Sequence, residues 1–370
     1  MEQKNTGLYI HIPFCKSRCS YCDFFSGISD PEVQRKYIIE LCNEIRSLGK
    51  KYPDRVIDTL YIGGGTPSIL ELDLVEMIMD AVISSFRCRF IEKTIEINPN
   101  AYENIKSYAN IGFDRISIGV QSTDNNILKK IKRSHTALQG IKALETANRY
   151  FKNISADIIL GIEEEQNVQK DLDIILPLVT HLSAYILKIE EGTLLNRQIK
   201  DKKVIIASDN AGVAQYYLLY NTAKDRGFLP YEISNFALFG CESKHNYKYW
   251  TMGEYFGVGA SAHSLIDGRR YYNANDLQKY LLGEHSGNDK ELLEREYSLQ
   301  YEKDETLMLA LRTTAGLNIK EFNKKYNCDF LKEYAAKLKL LNGAINISSD
   351  RLYIKPEFLL VMNTIIAGLL

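Results

Sequence analysis

The stretch Gly7-Leu8-Tyr9-Ile10-His11-Ile12-Pro13-Phe14-Cys15-Lys16-Ser17-Arg18-Cys19-Ser20-Tyr21-Cys22 decides how this chain is read. Leu8 to Ile12 is a short β-branched and aromatic run, which reads as a strand. Three cysteines spaced C-x3-C-x2-C follow it directly. A loop this short can fold three thiolates around one centre. Three ligands leave one iron of a [4Fe–4S] cluster without a protein ligand, whereas electron-transfer clusters use four cysteines. An open coordination position is how a metal centre binds a substrate rather than only storing charge. Zinc is the competing metal for this spacing, and a chance group of small buried thiols is the bland alternative.

Outward from this loop, short apolar runs alternate with longer helical patterns. Strands are expected at Thr59–Ile62, Thr94–Ile97, Arg115–Ile118, Ile154–Leu160 and Ser183–Ile189. Helices are expected at Pro31–Leu48, Leu72–Phe86 and Asp124–Arg149. Such alternation argues for a parallel α/β sheet or barrel, whose ligands collect at the C-terminal ends of the strands. The second strand runs into Gly63-Gly64-Gly65-Thr66-Pro67, where the backbone can approach a ligand closely. Tyr231 to Arg270 is rich in Gly, Tyr, Asn and His and reads as turns. From about Leu292 the pattern is mainly helical. It ends in a hairpin at Ala344–Ile347 and Leu352–Ile354, which suggests a small C-terminal winged-helix-like domain.

Composition narrows the class of partner. The 370 residues hold 46 Lys and Arg against 47 Asp and Glu, so no global attraction to nucleic acid or anionic lipid is expected. The first residues lack the basic and apolar regions of a signal peptide. Leu359 to Leu370 is the most apolar end segment and is too short for the roughly 20 residues of a bilayer span. These features place the chain in the cytoplasm, where clustered cysteines bind metal or do redox chemistry more often than they pair. Seven cysteines is also an odd number. Cys42, Cys88, Cys241 and Cys328 are scattered and read as buried thiols.

The cysteine motif and the glycine run together resemble the radical S-adenosylmethionine (SAM) superfamily. More narrowly, the chain resembles its anaerobic coproporphyrinogen III oxidase group. Further matching segments are Glu96-Ile97-Asn98-Pro99, Arg115–Ser122, Lys132-Arg133-Ser134-His135, Asp157–Gly161, His245–Trp250 and Gly259–Ser264, in family order. The resemblance implies a partial (β/α)6, TIM-like barrel over residues 1–230. A linker over 231–290 would carry the HNxxYW motif, followed by the winged-helix-like part over 291–370. It implies Cys15, Cys19 and Cys22 as cluster ligands. Tyr9, Gly64, Gly65, Thr66, Glu96, Gln121, Arg133 and Asp157 would line a SAM pocket, with Tyr21 near the adenine. Glu96 and Asp157 can accept hydrogen bonds from an ammonium or ribose, and Arg133 can pair with a carboxylate.

The group holds an oxidase branch and a haem chaperone branch. The oxidase pattern has a fourth cysteine two residues after the third, where this chain has Phe24, and a longer segment before its cluster. Both departures point to the haem chaperone branch. That branch implies haem as a ligand and haem-accepting proteins such as respiratory enzymes as partners, with a homodimer left open. His245, in a segment with the only tryptophan, Trp250, is the implied haem contact, and His263 is a weaker one. His11 is expected to support the cluster loop; His135, His181 and His285 have no argued role. Three family positions differ. Gly161–Asn167 and Glu190–Thr193 both lack the family's proline, and Ser261 replaces a glycine.

Overall fold

The computed structural model describes residues 4–283, 291–292 and 298–370. His285 and the expected boundary at residue 290 fall outside the described residues. Six strands lie side by side in chain order: β1 (Lys4–Ile12), β2 (Arg55–Gly64), β3 (Arg87–Ile97), β4 (Arg115–Gln121), β5 (Asn153–Leu160) and β6 (His181–Ile186). Each pairs in parallel with the next. Helices make the crossovers, so the alternation in the sequence becomes an open, partial (β/α)6 barrel.

Between their register shifts, the strands carry two kinds of residue in alternation. Ile10, Ile12, Leu60, Ile62, Ile95, Ile97, Ile116, Ile118, Ala156 and Ile158 join the helices in one buried core. The residues between them include Thr59, Tyr61, Glu96, Ser117, Ser155 and Asp157. These hydrogen-bond to polar neighbours across the other, concave face. A period of two therefore separates the packing face from the chemical face of every strand. The first crossover helix, Pro31–Lys51, starts on Asp30, whose side chain accepts from Val33 N at 2.9 Å. Pro31 opens it, Lys50 and Lys51 close it, and Tyr37, Ile38, Leu41, Ile45 and Leu48 form its buried stripe.

Two expectations change. The single helix expected over Asp124–Arg149 is two helices, Asn125–Lys130 and Ala137–Tyr150. Lys132, with φ of 56°, ends the first run, and Thr136 opens the second with a capping box to Gln139. The apolar pattern hid the break, because Ile127, Leu128, Ile131, Ala143 and Leu144 are buried on both sides of it.

The segment read as turns, Tyr231 to Arg270, builds sheet instead. After the short β7 (Leu229–Pro230) come β8 (Asn235–Ala237), the helix Lys244–Trp250, β9 (Tyr255–Val258), β10 (His263–Ile266), β11 (Arg269–Tyr272) and β12 (Glu291–Leu292). The sheet order is β12-β11-β10-β9-β1-β2-β3-β4-β5-β6-β8-β7. Strands of three or four residues are too short to show periodicity. Their glycines serve close crossing: a Cβ on Gly257 would stand 1.9 Å from the His263 carbonyl oxygen.

In the C-terminal part, β13 (Leu317–Asn318), β14 (Ile345–Ser348) and β15 (Arg351–Ile354) form an antiparallel sheet in the order β13-β15-β14, beside helices that include Leu299–Ala310 and Ile319–Tyr326. Ser349 and Asp350 both take positive φ in the hairpin turn, as a two-residue turn requires. The apolar tail is the helix Met362–Leu369, which buries Met362, Ile365, Ile366 and Leu369. No helix among the described residues is long and apolar enough to cross a membrane.

Candidate functional site at the barrel mouth

The cysteine loop leaves the end of β1 and returns to it. Cys15 N donates to Gly27 O at 2.8 Å, and Gly27 N donates to Pro13 O at 2.9 Å. Ser20 ties the loop to its surroundings through Ile131 O and Leu195 N. Cys15, Cys19 and Cys22 are free, partly buried thiols. Thr66 Oγ1 donates to Cys15 Sγ at 3.4 Å, and Arg133 Nη1 donates to Cys19 Sγ at 3.4 Å. Among the described residues, no three His, Cys, Asp or Glu side chains converge on a single ion. A structural zinc needs four donors at roughly 2.0–2.3 Å. A [4Fe–4S] cluster takes one thiolate per iron, and donors at the ligand sulfurs, as at Cys15 and Cys19, are what such a cluster uses.

The glycine run abuts this loop. Gly65 N donates to Ile12 O and Thr66 N to Phe14 O, both at 2.8 Å. Gly64 has φ of 108°, and a Cβ there would stand 2.4 Å from His11 Nδ1. Glycine is thus required for the ends of β1 and β2 to meet. Gly64 N donates to Glu96 Oε2 at 3.0 Å, and Tyr61 OH donates to Glu96 Oε1 at 2.7 Å. Burial pushes the Glu96 carboxyl up to about 7 despite those bonds. Asp157 accepts from Ser117 Oγ at 3.2 Å and is also raised by burial. Neither carboxylate has an ion pair among the described residues, so each can take a cationic or hydroxyl-bearing ligand.

Arg133 follows the left-handed Lys132 and turns inward. Its Nη2 donates to Gly119 O at 2.5 Å, and its Nε is buried without a partner. A Cβ on Gly119 would approach that guanidinium to 2.8 Å. Gln121, at the end of β4, has φ of 66° for a non-glycine residue. Such conformations gather at ligand sites. Tyr21 packs on Ile127, Ile131, Ile159 and Ile162, the second apolar cluster. The proline missing from Gly161–Asn167 is replaced by side-chain bonds. Gln166 and Gln215 hold the backbone of Ile159, Gly161 and Ile162, and Glu164 caps Ser208.

A cavity of about 400 Å³ opens beside β1. Of the expected SAM residues it takes in Tyr9, Gly64 and Glu96; Phe24, Phe25, Tyr249, Tyr255 and His263 form much of the rest. Tyr21 in the cysteine loop, Gln121 on β4, Asp157 on β5 and Arg133 between the helices Asn125–Lys130 and Ala137–Tyr150 lie outside this cavity's lining. Gly65 and Thr66 pack against β1 and Cys15 instead. Thus the expected set divides into two groups around the concave face.

The expected haem contact, His245, lies on the helix Lys244–Trp250. His245 is completely buried. Its Nδ1 is 2.9 Å from Thr59 Oγ1, and its Nε2 is 2.9 Å from Tyr249 OH. Both ring nitrogens are in use, and the ring is sealed inside the barrel, so it presents no free edge to a porphyrin. Burial, with the Lys248 and Arg115 charges, holds its pKa down to about 3, so it is neutral. Glu92 clamps the start of its helix, accepting from Lys244 N at 2.8 Å and His245 N at 3.0 Å. Arg115 is fully buried within electrostatic range of Glu92, and its Nε and Nη1 lack partners. Glu92, Arg115, Ser117 and Tyr61 were not singled out from the sequence. Tyr61 and Ser117 carry a signal as alternate polar residues on apolar strands, whereas the nearness of Glu92 to Arg115 depends on strand register.

The radical SAM superfamily model matches residues 9–173. A heme chaperone HemW from Lactococcus lactis subsp. lactis is 32% identical over 361 residues, covering 95% of this chain and 93% of that protein. A heme chaperone HemW from Bacillus subtilis is 30% identical over 374 residues, covering 98% of each. Among solved structures, the coproporphyrinogen III oxidase HemN from Escherichia coli superposes with a TM-score of 0.85 at 18% identity. It covers all of this chain and 90% of that one, and the likeness is one of fold.

Proposed function

This chain belongs to the radical SAM superfamily and, within it, to the heme chaperone HemW family, and from that premise we propose that it is a haem chaperone that binds a [4Fe–4S] cluster, SAM and haem and passes haem to acceptor proteins. The observation that carries this is likeness to HemW proteins along 95% or more of the chain. It is supported by a cysteine loop whose sulfurs already have hydrogen-bond donors. When bound, a cluster with three protein ligands supplies an iron that SAM can chelate.

The chain's own residues have definite tasks in this reading. Cys15, Cys19 and Cys22 hold the cluster. Thr66 and Arg133 donate to two of its sulfurs and orient the loop. Glu96 accepts the ligand ammonium, which compensates a carboxylate that burial otherwise disfavours. Arg133, whose Nε has no partner, faces a carboxylate. Tyr9, Gly64, Gly65 and Gln121 shape the wall with backbone positions that larger or unstrained residues would alter. Asp157 receives ribose hydroxyls, and Tyr21 covers the adenine. His245 reaches iron only if the Thr59 and Tyr249 bonds break. Residues 1–230 serve as the barrel and 291–370 as a winged-helix-like part; 231–290 extends the barrel sheet and carries HNxxYW. Respiratory enzymes as acceptors, a cytoplasmic site and pairing of two copies complete the proposal. Phe24, in place of the oxidase branch's fourth cysteine, favours carriage of a porphyrin over its decarboxylation.

Anaerobic reconstitution with iron and sulfide analysis tests the cluster. Cys15→Ala, Cys19→Ala and Cys22→Ala are each expected to lose most of the bound iron and sulfide, and full uptake by any of them sinks the assignment. Visible absorption during haem titration tests the carrier, followed by transfer of the bound haem to an apo-haem protein. Conversion of coproporphyrinogen III under SAM and reductant, without haem binding, would replace the carrier reading with the oxidase one.

A further inference from the structure

We propose that Asp171, on the helix Val168–Ile175, is a positioning residue for SAM: it locks the strained turn that presents Gln121 beside Arg133 in the SAM pocket. The proposal rests on the SAM site given above. β4 ends at Gln121, and the chain folds straight back there. Ser122 N donates to Val120 O at 2.9 Å, across a single residue. Gln121 is the centre of that three-residue turn, with φ of 66°. This is the strained hand of a γ-turn, rare for any residue and costly for one with a side chain. The register between β4 and β5 also shifts between Ile118 and Gln121. A backbone of this kind persists only when its surroundings over-determine it.

Three side chains hold this turn from two sides. Asp171 Oδ1 accepts from Thr123 N at 2.7 Å and from Thr123 Oγ1 at 2.5 Å, and its Oδ2 accepts from Ser122 Oγ at 3.0 Å. On the opposite side, His135 Nε2 donates to Val120 O at 3.0 Å and Arg133 Nη2 donates to Gly119 O at 2.5 Å. Asp171 is only 3% exposed, and burial raises its carboxyl pKa. A carboxylate beside the buried Leu172 and Ile175 is costly unless donors meet it, and the donors here all belong to the turn. What the turn achieves is visible at Gly119. Arg133 Nη2 and Gln121 Nε2 lie 2.8 and 3.0 Å from where a Cβ on Gly119 would stand. Two side chains of the SAM wall, far apart in their rotamer choices, thus converge on one glycine because the backbone after β4 cannot relax.

Equilibrium dialysis of SAM against the anaerobically reconstituted protein tests this with wild type, Asp171→Asn, Asp171→Ala and Thr123→Val. Iron and sulfide content and the circular dichroism spectrum are measured on each. Asp171→Asn keeps an oxygen that accepts from Thr123 and should bind SAM within about threefold of wild type. Asp171→Ala should bind SAM about tenfold more weakly or worse, with iron and sulfide at the wild-type level. Thr123→Val removes one donor without changing the side chain's shape and should fall between the two. Wild-type SAM affinity in Asp171→Ala overturns the proposal. So does a loss of iron and sulfide alongside SAM in both Asp171→Ala and Thr123→Val, which makes Asp171 a support of the whole fold. Asp171→Asn as weak as Asp171→Ala, with the wild-type spectrum, overturns it too, because charge and not hydrogen-bond geometry would then matter. If wild type carrying its full cluster binds no SAM, the SAM site itself fails and Asp171 falls with it.

Discussion

At the scale of single residues, the site stores costs that a ligand can relieve. Glu96 is raised from 4.5 to about 7 by burial. A raised carboxyl pKa means that the folded chain holds its proton more tightly than the unfolded chain does. The contribution of Glu96 is thus fully present below about 4.5 and is lost as pH rises through about 7. One pKa unit is about 1.4 kcal/mol, so ligand-free protein should lose up to about 3 kcal/mol of stability across that window. Glu96→Gln should flatten this stretch of the pH–stability curve in chemical denaturation, and an unchanged slope would contradict it. Ser261 bears a backbone cost instead, holding φ of 66° without being glycine. Ser261→Gly should stabilise the chain by about 1 kcal/mol, read as a higher midpoint in urea.

At the scale of elements, the helix Lys244–Trp250 depends on a residue 152 positions before its start. Glu92 on β3 bonds the first two helical N–H groups and faces the buried Arg115. Glu92→Ala leaves an open helix start and removes the nearby negative charge that offsets the buried Arg115 cation. It should cost about 3 kcal/mol or more, measured by urea unfolding. A loss below about 1 kcal/mol would mean that water replaces the carboxylate. This clamp also marks the limit of what the sequence tells. The six parallel strands were legible because each runs long enough to show apolar residues, and the cysteine spacing stands in one loop. Glu92 and Arg115 were not legible, because their meeting depends on neighbouring strand register. The burial of His245 was hidden for the same reason: nothing local to HNxxYW says that Thr59 waits opposite. The split between Lys130 and Ala137 was hidden by apolar spacing that continues across it.

At the scale of the whole molecule, β1 ties the two halves of the site together. It delivers the cysteine loop, pairs with β2 and its glycine run on one side, and pairs with β9 on the other. Glu96 and Gly64 therefore share one cavity with Tyr249, whose OH bonds His245 Nε2. Ligation of iron by His245 would break that bond and disturb a wall of the SAM cavity, which links the two ligands thermodynamically. SAM should change the haem dissociation constant by a measurable factor, and haem should change that of SAM by the same factor. Paired titrations check this, and affinities that ignore each other would show that the two sites are independent. The β1–β9 pairing also has a timetable. Gly7 meets Tyr255, 248 positions later in the chain. At roughly 5–20 residues per second, a ribosome takes about 12–50 s to make that interval. During that time β1 offers a bare strand edge beside three unprotected thiols. The nascent chain thus passes through a stage that invites mispairing and oxidation.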